Sequence, residues 1–439
     1  MLEPSATQLE TTIMAKTSSA SSSARVEKAY APAKSHYAAL NVDTDAALRR
    51  LARIAISTHC WQGDDIRGFG AETALDGGLA TTGNYPGRAR NGDEMRADLD
   101  KVFSLVAGPH RVNLHAIYAE TTGSCPDRDQ LAPEHFARWI DWAKQNRLGM
   151  DFNGTFFSHP RAASGMTLAS PDKAVREFWI AHGVACRRVA AAMGKAVGSP
   201  CVHNVWIPDG MKDVPADRLA PRQRLRDSLD RVFKQKISRD LVLDAVEGKL
   251  FGIGSESYVV GSHEFYFGYA LANDKLVTID TGHYHPTESP VDKVSSVMLF
   301  AKELLLHVSR GIRWDSDHAV VLDDELKALA CELVRGNFLD RTHIGLDYFD
   351  ASINRVAAWT IGLRAMQKAL LQALLEPSRA AEAEAANDFT SRLAWQEENK
   401  SLPWPAVWDY FCLAHDVPVG DAWLTEIKRH ERDVLSKRM

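Results

Sequence analysis

The sequence has 439 residues, 45% apolar and 25% charged, with 52 basic against 57 acidic side chains and a net charge of −5. That is the composition of a soluble globular protein, long enough for one large domain or two to three ordinary ones. Basic residues are concentrated nowhere, which argues against a nucleic-acid partner, and no apolar run reaches the ~18 residues of a membrane-spanning helix. Six cysteines (Cys60, Cys125, Cys186, Cys201, Cys331 and Cys412) are scattered without a CxxC pair, a usage that predicts reduced, mostly buried thiols in a cytoplasmic protein.

The chain opens on a Ser/Thr/Ala-rich stretch with one lysine and no apolar core of a signal peptide. Its composition predicts a disordered extension over residues 1–30. Short apolar or β-branched runs then follow: "RIAISTHCWQ" (53–62), "RVNLHAIY" (111–118), "LGMDFN" (148–153) and "CVHNVWIPDG" (201–210). Four more come after: "LVLDAVEGK" (241–249), "KLVTIDTGHYHP" (275–286), "LLLHVSRGIRW" (304–314) and "THIGLDYFD" (342–350). Each has the length of a buried strand. Between them lie stretches of helical spacing at 133–146, 173–194, 220–237, 291–305 and 323–336. Strand–helix alternation implies parallel strands joined by helical crossovers. Eight strands in that order predict a (β/α)8 TIM barrel over residues 31–355. An open doubly wound sheet is the rival, and the GxGxxG turn it would show is missing after every predicted strand. Residues 356–439 read as a C-terminal α-helical extension, which such barrels use either for subunit contacts or to pack on their own barrel.

In such a barrel the chemistry sits where the strands end. The fifth strand ends in Glu247, with Lys249 two residues on. The sixth ends in Asp280 with His283 close behind. The seventh carries His307 and leads to Asp315 and Asp317, and the eighth carries Asp347 and Asp350. Singly, a strand-end Asp is usually a turn or cap residue and a strand His is usually a satisfied core residue. Together they crowd carboxylates that cannot all stay charged without a cation. Oxygen-rich shells with a histidine suit Mn²⁺, Mg²⁺ or Co²⁺ better than structural zinc. His115 ends the second strand and Trp61 and Trp206 also stand at strand ends, so all three are candidates for contacting a substrate held at that rim.

These residues bring a resemblance. The stretches "HCWQGDD" (59–65), "TGNYPG" (82–87), "NLHAIY" (113–118), "WIPDGMKD" (206–213), "RLAPRQRL" (218–225), "KLFGIG" (249–254), "HPTE" (285–288), "RWDSDH" (313–318) and "DASINR" (350–355), in that order, are similar to bacterial L-rhamnose isomerases. The likeness runs from about residue 35 to the end. It implies a xylose-isomerase-like barrel with two divalent metals, usually as a homotetramer, acting on L-rhamnose in the first step of rhamnose catabolism. It also implies that Glu247, Asp280, His307 and Asp347 hold one ion and that His283, Asp315 and Asp317 hold the second, with Mn²⁺ expected and Zn²⁺, Mg²⁺ or Co²⁺ possible at one of them. The Glu-x-Lys spacing of Glu247 and Lys249 recurs in xylose isomerase, which marks Lys249 as catalytic beside His115 and Asp347. A metal-assisted 1,2-hydride shift between C2 and C1 fits two ions better than an enediol route. Three alternatives stand beside this: a related sugar isomerase with broader aldose specificity, a metal-dependent hydrolase, and an inactive sugar-binding protein. No basic clamp at the strand ends supports hydrolysis, and all seven ligand candidates are present.

Overall fold

A computed structural model describes residues 6–69, 81–121, 126–250, 257–312 and 314–438, the side chains of 6–22 and 314–316 excepted. Eight parallel strands close into a barrel: β1 (Ile56–His59), β2 (His110–His115), β3 (Gly149–Asn153), β4 (Cys201–Val205), β5 (Val242–Glu247), β6 (Leu276–Asp280), β7 (Leu304–Val308) and β8 (Thr342–Leu346). Each pairs with its neighbours in chain order, and β8 returns to β1 through Ile344 opposite Ile56. Every one of the eight predicted segments holds a barrel strand. They read clearly from sequence because each centres on a short apolar or β-branched run bounded by segments of helical spacing.

The seventh segment is shorter than its apolar run suggested. β7 stops at Val308, and Arg310–Ile312 turns into an antiparallel pair with Trp314–His318. The Asp315–Asp317 stretch therefore belongs to a separate hairpin above the barrel, not to one continuous strand. Asp317 has a backbone φ of 42°, uncommon for a residue with a side chain, and its carbonyl accepts from Phe349 N at 3.2 Å, tying the hairpin to the segment after β8.

Among the crossover helices, α5 (Lys173–Val197) starts where the Asp172 side chain accepts from Ala174 N. It ends at Gly198 in the left-handed conformation, the usual glycine stop. The helix predicted over 220–237 ends at Val232, and the one predicted over 291–305 ends at Met298, before β7 begins. Helices at Gly92–Phe103 and His263–Asn273 escaped the sequence reading. The second, "HEFYFGYALAN", is too uniformly apolar to show a 3.6-residue period.

Two expected boundaries move. The stretch 1–30 does not end in disorder: α1 runs Ala6–Ala39, and Val26, Tyr30, Ala33 and Tyr37 on it are buried. Those positions, spaced four, three and four apart, form one helical stripe that the neighbouring serines and alanines hid. Tyr30 stacks on Tyr410 of the helix Trp404–Ala414, with ring centroids 4.0 Å apart. Tyr30→Ala is expected to cost about 3–5 kcal/mol if the site does not collapse, read as a lower denaturant midpoint with new protease cleavage within residues 23–40. Second, the helix Arg355–Leu374, capped by Asn354, is buried along most of its length and packs against Asp324–Arg335 and Gly92–Phe103. It completes the ring of helices around the barrel, so the barrel domain extends to about residue 374 rather than 355.

The barrel interior is divided. Val202, Leu243, Ala245, Leu276 and Leu305 form an apolar cluster on one side. Ser57, Asn113, Asp151 and Asn204, all buried, face the other.

Candidate metal centre

Four strand ends place their last polar residues together. Glu247 closes β5, Asp280 closes β6, and His307 sits one residue inside β7, directly opposite Asp280 in register. Asp347 follows β8, its N–H bonding Val308 O at 3.0 Å as the ladder's last rung. One donor atom from each of the four lies within 4.8 Å of the others. His307 Nδ1 is 3.1 Å from both Glu247 Oε2 and Asp347 Oδ2, yet it makes a hydrogen bond to neither, and Asp280 Oδ2 has no hydrogen-bond partner among the described residues. Buried polar atoms that converge without bonding one another fit a cation between them.

The charges agree. Burial works against ionising Glu247, but the His307 and His283 imidazoles beside it hold its carboxyl well below the usual range. Burial works against charge on His307 too, and the Glu247 and Asp347 carboxylates still raise it well above an ordinary histidine. Asp280 is pushed up to about 7 by burial and by the nearby Glu247 and Asp347 charges, although His283 and His307 oppose the shift. Burial and the crowding of like charges thus disfavour the ionised form of Asp280 despite the two imidazoles. A divalent ion removes that conflict.

Neighbours fix these groups. Asn204 donates to Glu247 Oε2 at 2.5 Å and accepts from Thr278 Oγ1 at 2.9 Å. Gly282 N donates to Asp280 Oδ1 at 2.7 Å, and Trp61 Nε1 donates to Asp347 Oδ1 at 2.9 Å. His283 Nδ1 lies 3.0 Å from Glu247 Oε1. Above the cluster is a cavity lined by Trp61, His115, Trp206, Lys249, His283 and Asp317, with Glu247 and Asp347 at its floor. Lys249 Nζ stands 5.2 Å from the Trp206 ring, and His115 meets the Trp61 ring edge-on at 4.6 Å. Burial lowers the His115 pKa to about 3, so this imidazole is neutral near pH 7, with Nδ1 3.1 Å from Thr155 Oγ1.

A family model described as L-rhamnose isomerase (RhaA) matches residues 24–438. The chain belongs to the L-rhamnose isomerase family. It is 57% identical over 415 residues to an L-rhamnose isomerase of Rhodopirellula baltica, covering 94% of this chain and 97% of that one. It is 56% identical over 416 residues to one of Salmonella typhi, covering 94% and 99%. Among solved structures it is similar to L-ribulose 3-epimerase, at 15% identity and a TM-score of 0.46 over 76% of this chain and 98% of that one. Membership of the L-rhamnose isomerase family makes the chain an aldose–ketose isomerase.

Of the residues singled out from the sequence of this L-rhamnose isomerase family member, ten gather at one rim: Glu247, Asp280, His307 and Asp347 in the cluster, and Trp61, His115, Trp206, Lys249, His283 and Asp317 around the cavity above it. The Asp315 side chain lies outside the described residues, as does Cys125. Asp350 turns away from the cavity, its carboxylate accepting from Ser352 N and Oγ. Trp61 does more than present a ring, since its N–H reaches a metal-ligand candidate. Sequence reasoning passed over Asn204. The signal was its place two residues before Trp206 on β4, on the face that points inward. It also passed over His59, fully buried against Trp61 and Tyr348.

Proposed function

We propose that the chain converts L-rhamnose to L-rhamnulose by a 1,2-hydride shift supported by two divalent ions, Mn²⁺ foremost, as the first step of rhamnose catabolism in the cytoplasm. The observation that carries this is the convergence of Glu247, Asp280, His307 and Asp347 beneath an aromatic-walled cavity, with Asp280 Oδ2 and the His307 nitrogens lacking hydrogen-bond partners among the described residues. These four hold one ion, and His283, Asp315 and Asp317 hold the other. When bound, the ions supply Lewis acidity to the sugar's oxygens.

The chain's own groups do the rest. Lys249 brings a buried cation to the cavity and offsets negative charge at O1 as the C2 hydrogen moves to C1. His115, neutral at working pH, exchanges a proton with the ring oxygen as the sugar opens. Trp61 and Trp206 pack on the apolar face that carries the 6-deoxy methyl, and Trp206 Nε1, without a partner among the described residues, is available to a hydroxyl. Exposed Phe389, Leu393 and Trp395 on the helix Phe389–Asn399 support subunit contacts in a homotetramer. No described helix is long and apolar enough to cross a membrane.

Lys249→Met keeps the stem and removes the charge. We expect kcat to fall by about 10²–10³-fold with metal content unchanged, the usual cost of losing one stabilising donor, and an unaltered kcat would refute the role. The activity itself is tested by following ketose formation from a panel of aldoses. L-rhamnose should give the highest kcat/KM, and a different preferred aldose would make the chain a sugar isomerase of another specificity.

A further inference from the structure

The interior of a (β/α)8 barrel is ordinarily filled by layers of side chains. Here a cavity of about 270 Å³ enters the barrel from its N-terminal mouth, the end opposite the cluster. Its rim carries Arg50, Arg53 and His343. Its walls set Ser57, Asn113, Asp151 and Asn204 beside Val202 and Leu305, and it reaches up to His307. Gly345 leaves the space open: it is paired in register with His307, and a Cβ built there would come no closer than 3.4 Å to any neighbour, with His307 Cδ2 at 3.5 Å. That contact places the Cδ2–Nε2 edge of the imidazole toward the cavity, while Nδ1 faces the carboxylates above.

His307 Nε2 is fully buried and has no hydrogen-bond partner among the described residues. A histidine that ligates a metal through one nitrogen almost always donates from the other to a carboxylate, a carbonyl or a water, and that partner fixes the ring's tautomer and orientation. No described carboxylate or carbonyl serves Nε2. The cavity below it offers polar side chains among apolar ones, and at ~30 Å³ per molecule of liquid it has room for several waters.

We propose that this cavity is a hydrated shaft whose uppermost water accepts from His307 Nε2–H, orienting the metal ligand from beneath and connecting the underside of the metal centre to solvent at the far end of the barrel. The proposal rests on the metal-binding reading for its purpose, but not for the water itself. Asp151 anchors one wall: it accepts from Ser57 Oγ at 2.6 Å and from Arg111 at 2.7 and 2.9 Å, so its charge is compensated and the shaft is lined by neutral or paired groups. Gly345 is a positioning residue, acting by leaving room for solvent against the ring.

The test is a high-resolution crystal structure of the wild-type holoenzyme, with water relaxation dispersion in solution. Expected is an ordered water about 2.7–3.2 Å from His307 Nε2, linked by further waters to the Arg53 and His343 rim. A dry cavity, or a protein side chain bonded to Nε2, overturns the proposal. Gly345→Ala, which fits, should keep the water and the affinity for Mn²⁺. Gly345→Val, which fills the shaft, should lose the water and weaken Mn²⁺ binding by about 10–100-fold, the range found for such supporting partners. Loss of the water with unchanged affinity overturns the orienting role. If the valine variant does not fold, the wild-type water alone decides. A wild-type protein that binds no divalent ion defeats the metal reading and leaves the water at Nε2 to be judged separately.

Discussion

Glutamine at position 247 is expected to cut turnover by about 10³-fold or more and to strip metal from the site. Glu247 stands between two imidazoles, 3.1 Å from His307 Nδ1 and 3.0 Å from His283 Nδ1, and Asn204 holds its Oε2 in place. Glutamine preserves the volume, so the barrel should fold as before. It removes a negative charge from the cluster and turns an amide N–H₂ toward groups that need an acceptor. A divalent ion contributes several kcal/mol of transition-state stabilisation, and 1.36 kcal/mol is tenfold in rate; losing about 4 kcal/mol therefore gives the stated factor. The check is kcat and bound metal on one preparation, with circular dichroism confirming the fold. Activity within about tenfold of wild type, a loss of only ~1.4 kcal/mol, would remove Glu247 from the ligand set.

The second large effect lies in stability, away from the reaction. Asp244 on β5 faces outward and receives two bonds from Arg187 on α5, each at 2.9 Å, and one from Lys275 Nζ at 2.9 Å, with His203 Nδ1 at 3.3 Å. Burial works to raise its pKa, but His203, Arg187 and Lys275 hold it well below the usual carboxylate range. Asp244→Asn leaves the buried Arg187 without its counter-charge, and breaking such a pair from one side costs about 3–5 kcal/mol. The pH dependence follows from the direction of the shift. A carboxyl whose folded pKa is depressed stabilises the fold above its unfolded pKa of about 3.9 and loses that contribution as pH falls below it. The difference between wild type and variant should therefore be constant from about pH 8 to 5 and shrink below about 4. Denaturant midpoints across that range measure it. A gap under about 1 kcal/mol at pH 7 would mean that the pair contributes no more than an exposed one.

The sequence disclosed the barrel because short apolar or β-branched runs alternate with stretches of helical spacing, and several of the runs lead into acidic or histidine side chains. Glu247, Asp280, His307 and Asp347 are separated by as many as 100 positions in the chain, and only the alternation of strands and helices predicts that they meet. What stayed hidden has physical reasons. The α1 stripe of Val26, Tyr30, Ala33 and Tyr37 sits beside serines that dominate a compositional average. The turn after Val308 depends on hairpin pairing between Arg310–Ile312 and Trp314–His318, which local periodicity does not register. Asn204 looks like any polar residue in a strand until its partner, Glu247 on the neighbouring strand, is known. The shaft beneath His307 is defined by the missing side chain at Gly345 and by which way an imidazole edge faces, neither of which a linear sequence displays.

The most direct test is metal content and L-rhamnose isomerisation measured on a single purified sample before and after chelation. The account predicts about two divalent ions per chain, loss of ketose formation as they are removed, and recovery when Mn²⁺ is returned, because Lewis acidity is part of the reaction. Full activity in protein stripped to a small fraction of one ion per chain would contradict it.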